Sequence, residues 1–231
     1  MAKTAEETIS RAPLNRERVL RAAIALADEG GIESLSMRKL ADELGVKAMS
    51  LYNHVSNKKD LLDGIVDAAW AEIAEPAPDA DWQTQIRQIA ISAHEMMLRH
   101  TWASGLGMRQ RPGVARLRYG NSLLGCFRNA GFSKDVTYHA YHIVESYILG
   151  YTFQVLNYRS VDMSQFADIA DRFVRGDFAD EYPHFTEHVR QHMEPEREDD
   201  VSAYELGLDL ILGGLERLRD AAGTTEGVTA N

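Results

Sequence analysis

The 231-residue chain has a single cysteine, Cys126, so no disulfide can form within it and packing alone must hold the fold. A lone thiol fits a reducing compartment, and the cytoplasm is the expected location. Cys126 lies between Gly125 and Phe127 on an apolar segment and is expected to be a buried packing residue. Proline is scarce, at six residues, while alanine and leucine abound and β-branched runs are few. That balance favours helix throughout, and an all-α fold is expected. No apolar run approaches the roughly 20 residues needed to cross a bilayer, which excludes an integral membrane protein. The amino terminus, MAKTAEETISRAPLN, has no apolar core segment and is not expected to act as a secretory signal. Strand-period alternation, internal repeats and a glycine-rich phosphate loop are all missing. What remains is 45% hydrophobic and 26% charged, enough apolar side chain to bury a core.

Positive charge is also in short supply. The net charge is −10, which by itself argues against a nucleic-acid partner. The deficit is unevenly spread. Residues 1–60 hold 10 Lys+Arg against 9 Asp+Glu, whereas residues 61–231 hold 15 against 26. A near-neutral head on an acidic body suggests two modules with different partners. Arg38, Lys39, Lys47, Lys58 and Lys59 cluster in the head, and a local basic stripe can bind phosphate while the whole chain stays acidic.

Residues 1–13 read as a flexible arm ending at Pro13. Asn15 is placed to cap a first helix carrying Val19, Leu20, Ala23, Ile24 and Ala27 on one face, and Gly30-Gly31 stops it. Ser36 caps a second helix with Met37, Leu40, Ala41 and Leu44 inward, ended by Gly45. A further short helix runs to about His54. Asn57 caps a fourth, through about Ile73, with Asp60 in the capping-box position. After the Pro76–Pro78 break, periodicity predicts helices from Trp82 to about His100, Gly113 to Asn129 and Ser133 to Tyr158. It predicts three more from Ser164 to about Arg175, Pro183 to Met193 and Val201 to Ala222. The domains expected are a head at 14–60, a body at 61–222 and a flexible tail at 223–231.

Residues 36–55, SMRKLADELGVKAMSLYNHV, make a helix, a tight glycine turn and a second short helix: a helix-turn-helix. Leu40, Ala41, Leu44, Val46, Leu51 and Val55 face the first helix. Lys47, Ala48, Ser50, Tyr52, Asn53 and His54 are left outside, and most are types that suit phosphates and base edges. A helical corner is common, so the pattern alone also fits a hairpin in a bundle.

The segment LNRERVLRAAIALADEGGIESLSMRKLADELGVKAMSLYNHVSNKKDLLDGI resembles the DNA-binding domain of the tetracycline-repressor (TetR) family without a gap. The first helix ending in GG, the S-M-R-K-L-A-x-x-L-G-V turn, S-L-Y-x-H-V and N-K-x-x-L-L carry the likeness. The remainder is similar more loosely, through the tryptophan near the fifth helix and the A-G-F-S junction. The resemblance implies a homodimeric, ligand-controlled repressor reading double-stranded DNA at a palindromic operator. It places DNA contacts at Arg38, Ser50, Tyr52, His54 and Lys58. Lys47, Ala48, Met49 and Asn53 depart from the tetracycline repressor's own residues, so its operator does not carry over.

One short recognition helix binds weakly, and a symmetric dimer reading two half-sites repairs this. The interface is expected on helices 133–158 and 201–222, through Tyr147, Ile148, Tyr151 and Val155, and through Leu206, Leu210, Ile211, Gly213, Gly214, Leu215 and Leu218. The family's body usually holds a small-molecule pocket. Here His94, Trp102, Tyr119, Phe127, Tyr138, His142, Tyr151 and Gln154 supply a mixed apolar and polar lining. Gln154 stands where the tetracycline branch has a carboxylate and Ser146 where it has a histidine, so tetracycline is not the expected effector. Ligand would tilt the fourth helix (57–73) and respace the recognition helices.

No catalytic residue, cofactor or metal is expected. His184, His188 and His192 share a helix face, yet one straight helix presents three ligands poorly. The alternatives are an all-helical enzyme, for which no motif joins the scattered histidines, and a helical adaptor that binds protein and not DNA.

Overall fold

The computed structural model describes residues 13–107, 111–160, 178–193 and 202–228, and every regular element among them is helical. The helices are α1 (Arg16–Gly30), α2 (Met37–Leu44), α3 (Ala48–Leu51), α4 (Lys58–Trp70), α5 (Trp82–Arg99) and α6 (Thr101–Gly107). They continue with α7 (Val114–Asn129), α8 (Lys134–Ser160), α9 (Phe178–Glu181), α10 (Pro183–Met193) and α11 (Ala203–Val228). The chain divides into two compact units, one of residues up to 75 with 95–122, the other of 76–94 with the residues from 123 onward.

In the first unit the caps act as the sequence predicts. The Asn15, Ser36 and Asn57 side chains accept the N–H groups of Arg18, Lys39 and Asp60, so each helix starts with an orphan donor satisfied. Gly45 ends α2 at φ 64°, a left-handed conformation that glycine adopts without strain. Val46 N–H then bonds back to the Ala41 carbonyl, closing the cap. The core gathers Val19, Ala23, Leu26 and Ala27 of α1 against Leu40, Ala41, Leu44, Leu51, Val55, Leu61 and Ile65. Beyond it, Asp67 of α4 accepts the Ala115 N–H at 2.8 Å and so caps α7. His100, only 3% exposed, sets its Nδ1 2.9 Å from Asp28 and its Nε2 3.3 Å from Glu72. The Trp102 indole donates to the same Asp28 at 2.7 Å.

The second unit packs α8 against α11 around Ala140, Val144, Ile148, Leu208, Leu212 and Leu215. Gly131, at φ 86°, turns the chain from α7 into α8. Gly207 is required for packing: a Cβ there would lie 2.2 Å from Tyr147 Oη, which donates to the Tyr204 carbonyl at 2.8 Å. Cys126 is buried, and burial pushes its thiol pKa up.

Several boundaries differ from those expected. The helix 101–107 was not expected; Gly105 and Gly107 make it a poor helix former by composition. α3 closes at Leu51, and residues 52–54 form a hydrogen-bonded turn, with His54 N–H and Val55 N–H both on the Leu51 carbonyl. α4 ends at Trp70, and the last bonds, Glu72 to Ala69 and Ile73 to Trp70, tighten to the i→i−3 pattern. α11 runs through Gly223 to Val228, since each residue added to a nucleated helix gains a bond. The arm at 1–12 and the helix expected at 164–175 fall outside the described residues.

Candidate nucleic-acid interface

The short α3 sorts its residues sharply. Leu51 is 0% exposed and Val55 1%, whereas Met49 is 75% exposed and Tyr52 43%. Lys47, Ala48 and Asn53 are exposed, and Ser50 and His54 are half-buried. Leu51 and Val55 are the inward side chains and α3 packs on α2, which leaves Lys47, Ala48, Met49, Tyr52 and Asn53 of the expected DNA-contact residues exposed. An apolar Met49 held in water has no packing role inside its own head, and it suits contact with a thymine methyl. Arg38 in the first turn of α2 and Lys58 in the first turn of α4 are exposed on either side in sequence.

The turn after α3 is fastened by a residue outside the expected set. Arg16 donates through Nη1 to the His54 carbonyl at 2.9 Å and through Nη2 to Asp60 Oδ1 at 2.8 Å. Asp60 also accepts the Ser56 N–H at 2.7 Å. The Arg16 hydrogen bond, then the Ser56 bonds, lower the Asp60 pKa from 3.8 to about 2. The capping-box spacing put Asp60 at the third position of α4, where its carboxylate accepts the N–H of Ser56, one residue before the Asn57 cap, and a local motif carries no signal for a partner 44 residues away.

Because the Asp60 pKa is depressed in the folded head, its stabilisation is complete above the unfolded carboxylate range near 4 and is lost as pH falls through about 2. Acid unfolding of the head, followed by circular dichroism between pH 5 and 1.5, is expected to begin at higher pH in wild type than the folded-state value alone implies. Asp60→Asn is expected to remove that part of the pH dependence and to lower the stability measured at pH 7.

The structure distributes the expected effector residues over separate surroundings. His94 (α5), Tyr147 and Tyr151 (α8) and Tyr204 (α11) form one aromatic group, with His94 stacked on Tyr204 at 4.2 Å and Tyr151 edge-on to His94 at 5.8 Å. Thr152 donates its hydroxyl to the Ile148 carbonyl at 2.6 Å, so its oxygen accepts the Nδ1 hydrogen of His94 at 2.7 Å. Tyr204 donates to the Ala90 carbonyl at 2.8 Å, and burial raises the pKa of its hydroxyl.

Phe127 is buried against Trp82 and Phe132, with ring centroids 6.0 and 5.3 Å away. Tyr138, 61% exposed, pairs edge-on with His142 on the outer face of α8. Gln154 lies with Gly150, Phe153, Asn157 and Tyr158 along a shallow, open cavity of about 350 Å³. Trp102 and Tyr119 belong to the first unit, bonded to Asp28 and packed edge-on against Trp70 at 5.0 Å. His184 and His188 are exposed on α10, and no group of three metal-ligating side chains assembles among the described residues. No helix among them is long and apolar enough to cross a membrane.

Two family models cover most of the chain. Residues 19–65 match the bacterial regulatory proteins of the tetR family, and residues 75–219 match the tetracyclin repressor-like C-terminal domain. The chain therefore belongs to the tetracycline-repressor family: it is a ligand-responsive, DNA-binding transcriptional regulator of the repressor type, not an enzyme.

An HTH-type transcriptional regulator of Saccharopolyspora erythraea is 34% identical over 139 residues, a match spanning 59% of each chain. The class C tetracycline repressor protein of Escherichia coli is 28% identical over 89% of this chain and 92% of its own. Among solved structures, the TetR family protein ActR of Streptomyces coelicolor in complex with (S)-DNPA superposes with a TM-score of 0.66. That match has 25% identity and covers 88% of this chain and 98% of that one.

Proposed function

We propose that the protein is a homodimeric cytoplasmic repressor that grips a palindromic operator through residues 14–60 and lets go when a small molecule binds the helices within 61–222. The observation that carries this is the α3 surface. Two buried anchors, Leu51 and Val55, hold out a row of exposed residues rich in hydrogen-bonding groups, with a 75% exposed methionine among them. In this reading Arg38, Tyr52, His54 and Lys58 hold phosphates, and the α4 amide groups beside Lys58 add to that grip. Lys47, Ala48, Met49, Ser50 and Asn53 read the bases, with Asn53 suited to bidentate contact with adenine.

The second protomer docks along α8 and α11. Leu206, Leu210 and Leu218 are exposed at helical spacing on α11, with Leu210 69% exposed. Gly213 and Gly214 lie between them, and a Cβ at either would meet only the Arg217 side chain. Among the described residues nothing within the protomer needs those glycines, whereas a close helix–helix approach between copies would use them. Ile148 and Leu215, by contrast, are buried in the protomer's own core.

The similarity to ActR bound to (S)-DNPA supports a small-molecule effector. The proposed effector contacts are His94, Tyr138, His142, Tyr151 and Gln154. Trp102, Tyr119 and Phe127 already have full packing roles. Release requires that the effector bind the released conformation more tightly than the operator-bound one.

Selection of duplexes from a random library, followed by anisotropy titrations in a salt series, tests the head. Lys58→Ala is expected to weaken binding to all duplexes alike and to reduce the log–log salt slope by about one. Asn53→Ala is expected instead to relax the preference at one base pair, at a cost of about 1–3 kcal/mol there. Unchanged operator affinity in Tyr52→Ala would count against this surface.

A further inference from the structure

We propose that Arg16 and Asp60 form a positioning clamp that fixes the turn at Tyr52–His54 against the first turn of α4 and so sets affinity for the specific DNA sequence. This rests on the reading of the head as the DNA-binding surface. The clamp joins three elements. Arg16, the first residue of α1, donates to the His54 carbonyl at 2.9 Å and spans both oxygens of Asp60, at 2.8 and 3.2 Å. Asp60 accepts the Ser56 N–H at 2.7 Å, and its own N–H is capped by Asn57 at 2.9 Å. Every residue from His54 to Asp60 is therefore within three positions of a tethered group.

The arrangement follows from the packing of α1 on α4, which brings the ends of the Leu20 and Arg16 side chains over Gly64. A planar guanidinium can serve the carbonyl and the carboxylate together, whereas a lysine ammonium reaches as a single point. The consequence concerns the outward residues. Asn53, a proposed base contact, lies in the turn that ends at the clamped His54 carbonyl, and Lys58 lies inside the span from His54 to Asp60, so the clamp fixes a base-reading side chain relative to the phosphate contacts. Base edges are read at fixed geometry, and a reading side chain misplaced by about 1 Å loses much of its specific contact while the charge available to phosphate is unchanged. Arg16 also neutralises Asp60, which would otherwise set a bare carboxylate two residues from Lys58 on a surface that receives phosphate.

The test uses the intact protein, the duplex selected from the random library and a scrambled duplex of the same length and composition. Anisotropy titrations in a potassium chloride series are run beside thermal unfolding. Arg16→Lys keeps the charge and loses the fork. It is expected to weaken binding to the selected duplex about tenfold or more, while the scrambled duplex changes less than about twofold and the salt slope stays constant. Asp60→Asn is expected to show the same selective loss, more mildly.

Equal losses on both duplexes with a slope reduced by about one would make Arg16 a direct phosphate contact and overturn the clamp. Unchanged selected-duplex affinity would overturn it as well. If Arg16→Lys unfolds the head, Asp60→Asn decides, and a non-selective loss there refutes the proposal. Wild-type protein that ignores every duplex would instead refute the DNA reading on which the clamp rests.

Discussion

Phe127→Ala is expected to lower the stability of the second unit by about 3–5 kcal/mol, the range for emptying a fully buried aromatic site. Phe127 is 0% exposed. Its ring meets Trp82 at 6.0 Å and Phe132 at 5.3 Å, and those two meet each other at 5.0 Å. The three rings come from α5, α7 and the turn into α8. Removing the Phe127 ring leaves a void that its neighbours cannot close without moving helices. The Arg219 guanidinium lies over both Trp82 and Phe132 at 5.8 Å, so the cluster also orients α11. Urea unfolding followed by tryptophan fluorescence checks the prediction, since Trp82 reports directly from the cluster. A loss under 1 kcal/mol would mean the ring is dispensable to packing, as expected of a residue kept for a ligand.

Leu51→Ala is expected to cost the head about 2–5 kcal/mol and to abolish operator binding at temperatures where the second unit is still folded. Leu51 is the only buried residue of α3, a helix of four residues. Such a helix has no stability of its own in water and exists because this side chain is buried where α3 packs on α2. The same residue accepts two backbone bonds from the turn that follows, from His54 and Val55. Loss of the anchor therefore frees both the helix and the clamped turn. Two separate thermal transitions are expected in the variant, with the earlier one tracking the loss of DNA binding. A single transition with operator affinity retained would show that α3 is held by something other than its core contact.

Much of the head was legible in the sequence because its signals are local. Asn15, Ser36, Gly45 and Asn57 each act on backbone groups within about one turn, so a residue type at a given spacing suffices to place them. The inward and outward faces of α3 followed from the same periodicity. The body was less legible. Helix 101–107 escaped notice because its two glycines mask a helix that tertiary contacts sustain, among them the Trp102 bond to Asp28.

The expected effector residues were chosen as aromatic and polar types on central helices. Composition cannot tell a packed ring such as Phe127 from an exposed one such as Tyr138. Arg16 escaped for a different reason: its partners, His54 and Asp60, are 38 and 44 residues away, and no spacing rule reaches that far.

The decisive measurement is the stoichiometry and salt dependence of the intact protein on a selected palindromic duplex and on its isolated half-site. Two protomers per palindrome, affinity falling steeply as a power of salt concentration, and much weaker binding to the half-site are the expected result. One protomer per duplex with equal affinity for half-site and palindrome, or binding indifferent to salt, would contradict a paired-head repressor.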